Sequence, residues 1–348
     1  MGGHRGLEDG IVRAAGIPFH RLLLRSLRTV DRSTNTVLDP LRLALSVPQA
    51  GMLLARLRPA AVFTTGGFVA IPVVLAARPL GIPVVLWEGN VVPGRSVRAI
   101  AGRASAVAVS FEATCRELTL RRPCYVTGTP IRDFAHIDRL AAREPFGVPS
   151  GARLVLIFGG SQAVRRFNLA VTEALPGLVE RVHVIHVTGT DGYAGSLVAR
   201  DTLPPELRDR YRPYPFLREE MPYALAAADL VVGRAGSSTL AEVAALGLPL
   251  VVVPYPHAAG HQEANARVLA EAGAARLIPD ERFDAAALLD AISIAEDPAV
   301  HARMSASARG LARPRAADAV ASVVLAAAGR RALPDIETVD RLSRGVAA

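Results

Sequence analysis

From about Pro59 onward, short apolar runs rich in valine, isoleucine and alanine alternate with longer stretches whose apolar residues recur at helical spacing. That alternation is the mark of βαβ units, because strands covered by helices on both faces read as continuous apolar runs. The runs predict strands at Ala60–Thr64, Val84–Trp87, Ala106–Val109 and Tyr125–Thr127, and a second series at Leu154–Phe158, Val182–Val187, Leu230–Val232 and Pro249–Val253. Between the series lies Asp133 to Gly151, charged and punctuated by Pro145, Gly147, Pro149 and Gly151, where a domain boundary is expected. The expected fold is α/β: two doubly wound Rossmann-type domains over residues 1–140 and 151–330, facing a cleft beyond the carboxyl ends of their strands. C-terminal helices from about Ala299 to Gly329 precede a polar stretch, 331–348, expected to be a flexible tail.

Several strand ends run into glycine turns. Leu154-Val155-Leu156-Ile157-Phe158 leads to Gly159-Gly160-Ser161-Gln162. Glycines let a backbone approach a phosphate, and the helix that follows offers free N–H groups and a positive dipole end; such turns also occur where nothing binds. The design repeats in Leu230-Val231-Val232-Gly233-Arg234-Ala235-Gly236-Ser237-Ser238-Thr239-Leu240-Ala241-Glu242. Glu242, one helical turn in, can accept hydrogen bonds from a ribose diol; the alternative is a capping serine followed by a solvated glutamate. After the next strand, His261-Gln262-Glu263-Ala264-Asn265 supplies neutral donors and acceptors of the kind that recognise sugar hydroxyls. The first half carries Thr64-Thr65-Gly66-Gly67-Phe68, Trp87-Glu88-Gly89-Asn90-Val91-Val92-Pro93-Gly94 and Thr127-Gly128-Thr129-Pro130-Ile131-Arg132.

Charge adds an asymmetry. The chain has no lysine, and residues 1–132 carry 17 arginines against 7 acidic residues while 133–348 carry 23 against 25. The first half therefore suits an anionic partner: a nucleic acid, a phosphorylated acceptor or an acidic membrane surface. Cys115 and Cys124 form no metal or redox motif and are expected as free thiols. His183 and His186 face opposite sides of one strand, and His257 and His261 sit in a proline- and glycine-containing loop, so no metal site is expected. The longest apolar stretches, Phe68 to Ala77 and Ala319 to Gly329, are shorter than the roughly 18–20 residues of a membrane span, and no secretory signal opens the sequence.

Taken in order, Gly66-Gly67-Phe68, Glu88 to Gly94, Gly128 to Arg132, Gly159 to Gln162, Arg234 to Glu242, His261-Gln262 and Asn265 resemble the MurG family, GT-B-fold N-acetylglucosaminyltransferases of peptidoglycan synthesis. The resemblance spans nearly the whole chain. It implies metal-independent, inverting transfer of N-acetylglucosamine from UDP-N-acetylglucosamine to undecaprenyl-diphosphate-linked muramoyl-pentapeptide, with no cofactor and no nucleic acid partner. The implied location is the cytoplasmic face of the cell membrane, with the acidic inner leaflet meeting the basic first domain and apolar residues around Leu22, Leu23, Leu24, Leu27, Leu41 and Leu45; ordinary core packing is the competing reading of those leucines. By matching position, Ser161 and Gln162 would meet the donor diphosphate, Ser237, Ser238, Thr239, Leu240 and Ala241 the phosphate region, Glu242 the ribose, and Gln262 the sugar. Asn90 and Arg132 match further donor positions, the uracil contact falls near Leu217 and Arg218, and Glu88 is a candidate base.

The sequence departs from the family at Trp87, where histidine is frequent, and at His261, the first of a Gln-Gln pair. It also opens at Gly2-Gly3-His4 where the family has a strand and a Thr-Gly-Gly-His loop, so a first βα unit of about 35 residues is expected to be missing. Other UDP-sugar enzymes of this fold, such as a glycolipid galactosyltransferase or a UDP-N-acetylglucosamine epimerase, and a non-catalytic UDP-sugar binder remain alternatives.

Overall fold

Eight of the apolar runs do become strands, and they assemble into two parallel sheets. The computed structural model describes residues 1–3, 8–24, 35–120, 122–160, 165–256 and 260–346. The first sheet has β1 (Val62–Thr64), β2 (Val84–Glu88), β3 (Ala106–Val109) and β4 (Cys124–Val126), in the order 1-2-3-4. The second has β5 (Leu154–Phe158), β6 (His183–Val187), β7 (Tyr211–Tyr214), β8 (Leu230–Gly233), β9 (Leu250–Val252) and β10 (Ala275–Leu277), in the order 10-9-8-5-6-7. Leu154, Val155, Leu156 and Ile157 are all fully buried, which explains why β5 shows no alternation. Because the chain leaves β5 toward β6 and β7 and returns to β8 on the other side, the order switches between β5 and β8. A crevice opens at such a switch point, at the strand carboxyl ends.

Contacts divide the chain into Met1–Gly128 with Arg315–Ala348, and Thr129–Pro314, which moves both expected boundaries. The Asp133–Gly151 stretch is not a linker. It forms a 3-10 helix at Ala141–Phe146 whose Arg143 is 4% exposed, and it packs into the second unit. Nor is 331–348 a loose tail as far as it is described. The helix Ile336–Arg344 buries Val339 and Ser343, and with the helix Ala316–Ala328 it covers the first sheet at Val85, Ala106 and Tyr125. The Tyr125 hydroxyl donates to the Pro334 carbonyl at 2.9 Å, tying that segment down.

The two cysteines are not free thiols. The helix Glu112–Glu117 turns back onto β4, bringing the Cα atoms of Cys115 and Cys124 to 6.0 Å, and the pair is disulfide-bonded. Leu22 and Leu24 are core residues, whereas Leu23, Leu41 and Leu45 are exposed, so the leucine group divides between the two readings. Leu27 lies outside the described residues, as do His4 and His257.

His186 is fully buried with its Nδ1 2.9 Å from the Tyr211 hydroxyl, and burial pushes its pKa down to about 3; burial, followed by Arg212, Arg210 and Arg143, takes His183 to about 4. Both imidazoles are therefore neutral in the fold, while unfolded histidine titrates near 6.5. Protons bind the unfolded chain preferentially, so this contribution is intact above pH 6.5 and is lost as pH falls toward 3–4. For His186 alone the loss at pH 5 is about 2 kcal/mol. Urea midpoints at pH 7 and pH 5 should differ accordingly, and a His186→Gln chain should show a flatter dependence; equal slopes would contradict this assignment.

Candidate functional site

The turn after β5 begins at Gly159-Gly160, with Gly160 at φ +73°, and leads to the helix Arg165–Arg181. Ser161 and Gln162 lie outside the described residues. Phe158, the last residue of β5, pairs with Gly233, so the turn that follows β8 starts from the neighbouring strand end.

At that second turn Gly236 caps the helix Ser237–Leu246 in an extended conformation, with no side-chain cap. Gly236 has no side chain to accept from the helix's first amides, at Ser237, Ser238 and Thr239. Glu242 is 8% exposed, so it is not a solvated surface glutamate. Arg132 Nε lies 2.9 Å from Glu242 Oε1, which brings two of the residues chosen from sequence into direct contact. Burial pushes the Glu242 carboxyl above the usual glutamate range, and Arg132 partly pulls it back. Leu240 is buried and Ala241 half-buried, so from this turn they can offer backbone rather than side chain.

The turn is braced from behind. Gln262 Oε1 accepts from the Ala235 amide at 3.2 Å and the Tyr255 amide at 2.9 Å, joining the loops after β8 and β9. Its carboxamide oxygen is thereby committed to the fold, and its NH2 is the end with donors to offer. Fully buried Asn265 donates to the Ala235 carbonyl at 3.2 Å. Arg234, 6% exposed, donates to the Val253 and Pro254 carbonyls and to Asp280 Oδ1, with its guanidinium over the Phe167 and Tyr255 rings at 4.8 and 5.4 Å. Asp280 Oδ2 also takes Arg166 Nε at 3.1 Å, linking this brace to the helix that follows the Gly159-Gly160 turn. The Arg166–Asp280–Arg234 chain has no local sequence signature, since its members lie in three segments far apart along the chain.

Leu217 and Arg218 follow β7 at the same edge of the sheet. Leu217 is half-buried, Arg218 is exposed with its amide donating to Glu220 Oε2, and Phe216 beside them is 54% exposed.

Glu88 and Asn90 stand together in the first unit, at the end of β2. Glu88 is 5% exposed; its Oε1 accepts from the Asn90 amide and the Asn90 Nδ2, both at 2.9 Å, and its Oε2 accepts from the Gly94 amide at 3.1 Å. The Thr114 hydroxyl donates to the Asn90 carbonyl, and Trp87 Nε1 donates to the Gly128 carbonyl at 3.0 Å. Gly66 sits at φ +81°, and a Cβ there would come within 2.5 Å of Val97 Cγ2, so only glycine fits. Among the described residues no group of histidine, cysteine, aspartate or glutamate side chains could hold a metal ion.

Two parallel sheets of Rossmann type, the second with glycine turns after β5 and β8 at its switch point and a buried glutamate one turn beyond the latter, define a GT-B-type α/β protein. Residues 1–109 match the glycosyltransferase family 28 N-terminal domain and residues 154–321 the glycosyltransferase family 28 C-terminal domain. The chain belongs to glycosyltransferase family 28 and, within it, to the MurG family. It is 37% identical, over 95% of its length and 90% of the relative's, to a UDP-N-acetylglucosamine–N-acetylmuramyl-(pentapeptide) pyrophosphoryl-undecaprenol N-acetylglucosamine transferase of Desulforudis audaxviator. A solved structure of MurG from Acinetobacter baumannii superposes with a TM-score of 0.74 at 26% identity, covering 93% of this chain and 89% of the other. A putative UDP-N-acetylglucosamine 2-epimerase from Listeria monocytogenes shares the fold, with a TM-score of 0.65 at 13% identity over 94% and 87% of the two chains.

Proposed function

We propose that this chain transfers N-acetylglucosamine from UDP-N-acetylglucosamine to undecaprenyl-diphosphate-linked muramoyl-pentapeptide, at the cytoplasmic face of the cell membrane. The observation that carries the reading is Glu242: a buried carboxylate one turn into a helix whose first amides have no side-chain cap, beside Arg132. Helix amides and an arginine suit a diphosphate, and a carboxylate suits the ribose diol next to it. The relative from Desulforudis audaxviator is named for this transfer.

In a single displacement the acceptor hydroxyl loses its proton to water as its oxygen attacks the anomeric carbon. The bond from that carbon to the diphosphate oxygen breaks, and UDP leaves with the electron pair and the added negative charge. The amides at Ser237 to Thr239 and Arg132 would stabilise that charge without a metal. Gln262 would meet the sugar through its NH2, and Leu217 and Arg218 the uracil. Glu88, with both oxygens engaged by loop N–H groups, would shape the Asn90–Gly94 loop rather than accept the proton.

The membrane-facing surface would be the helix Asn35–Leu57, where exposed Leu41, Ala44, Leu45, Pro48 and Met52 follow one stripe that ends at Arg56. Interfacial helices combine such an apolar stripe with basic flanks. No helix among the described residues is long and apolar enough to cross a membrane.

The test is an assay with radiolabelled UDP-N-acetylglucosamine and the lipid acceptor. Label in the lipid fraction, dependent on acceptor, is the expected result. Conversion of the donor to a 2-epimer without acceptor, or failure of UDP to bind, would refute the proposal.

A further inference from the structure

At the amino ends of β2, β3 and β4, the edge of the first sheet opposite Glu88 and Asn90, the surface forms a cavity of about 570 Å³. Five arginines line it, Arg78, Arg103, Arg122, Arg330 and Arg331, and its lining contains no aspartate or glutamate. Several arginines elsewhere find carboxylates: Arg98 pairs with Glu117, Arg116 with Glu112, Arg181 with Glu296, Arg267 with Glu263 and Arg276 with Asp290. None of the five in the cavity makes an ion pair with a described residue.

Arginines that converge without counter-charge repel one another, and a multivalent anion relieves that repulsion. The backbone adds a second observation. Arg330 adopts φ +50°, one of only two positive-φ non-glycine residues among those described, and this left-handed turn after the helix Ala316–Ala328 delivers both Arg330 and Arg331 to the cavity. A left-handed conformation costs a non-glycine residue energy, and such costs gather at ligand clamps.

We propose that this cavity is a second anion site, separate from the turns at Gly159 and Ser237, which takes a group carrying two or more phosphates. Guanidinium forks bind phosphate oxygens two at a time, and several forks around one cavity discriminate a polyphosphate from a single phosphate. The phosphates could belong to a free polyphosphate or to anionic lipid headgroups, and the two sources separate experimentally. The inference does not depend on the donor-site reading.

Calorimetric titration of the full chain with tripolyphosphate, in saturating UDP, tests it. One further equivalent should bind, and binding should weaken at least tenfold when Arg103, Arg122, Arg330 and Arg331 are all replaced by glutamine. A control chain with Arg116→Gln, Arg267→Gln, Arg282→Gln and Arg303→Gln has the same net charge and should bind within twofold of the parent. UDP affinity, measured alone, should be unchanged in both; if UDP fails to bind at all, the donor-site reading falls while the tripolyphosphate comparison still stands. Phosphatidylglycerol vesicles that displace tripolyphosphate from the parent chain identify a lipid source, and vesicles that leave it bound identify a free one. No binding of tripolyphosphate, or equal weakening in both quadruple variants, overturns the proposal.

Discussion

An Asp229→Ala chain is expected to lose about 3–5 kcal/mol of stability, because removing one partner of a buried ion pair strands the other. Asp229 lies just ahead of β8 and is 4% exposed. Its Oδ2 accepts from Arg143 Nη2 and from the Leu154 amide, both at 2.8 Å, and its Oδ1 accepts from Arg139 at 2.5 Å. Arg143, equally buried, also donates to the carbonyls of Pro149, Ser150, Ala152 and Ala227, so it cannot follow its lost partner into solvent without breaking that set. The alanine chain would hold an uncompensated guanidinium and an unpaired amide at the entrance to β5. Asp229→Asn keeps an acceptor but no charge, and its loss should be smaller. Urea unfolding of the three chains at pH 7 decides the matter, and an alanine variant within about 1 kcal/mol of the parent would mean that the network contributes little.

That network also explains where sequence reading stopped. β3, β5, β8 and β9 were legible because burial on both faces leaves no polar residue in them, as in Leu154-Val155-Leu156-Ile157. β7 and β10 were missed, and both are edges of their sheet: Tyr211-Arg212-Pro213-Tyr214 contains a proline and an arginine, and Ala275-Arg276-Leu277 exposes its arginine. Asp133 to Gly151 read as a linker because its charges and prolines are local facts, whereas the ion pairs that seat Arg139 and Arg143 reach about 90 residues along the chain. The final helix is legible only afterwards, since Val339 is its one buried large apolar side chain in a charged run.

The candidate site divides in the same way. Glycine turns announce themselves, because positive φ at Gly66 and Gly160 leaves few other choices. Side-chain commitments do not: the sequence marks Glu88 and Gln262 only as polar residues beside glycine-bearing turns, and only the fold reveals that the first holds its loop and the second joins two others. The donor reading therefore narrows to groups with capacity to spare, and Glu242 comes first among them.

Replacing Glu242 by glutamine is expected to weaken UDP binding about a hundredfold, the effect of losing two charge-assisted hydrogen bonds of the kind a ribose diol donates to a carboxylate. The replacement keeps the shape of the side chain in its buried position and leaves Arg132 free for phosphate, so a purely electrostatic role for Arg132 would survive it. The pH dependence gives an independent check. Only the ionised carboxylate accepts from both hydroxyls, and burial raises the pKa of this group. UDP affinity should therefore be full at neutral pH and fall on acidification, starting above the usual glutamate range, while the glutamine chain keeps its weaker affinity across that interval. Inorganic diphosphate, which has no ribose, should bind the glutamine chain at least as tightly as the parent, because Arg132 is released from its ion pair. A glutamine variant that binds UDP as tightly as the parent would remove the ribose from Glu242, and with it the observation on which the donor assignment stands.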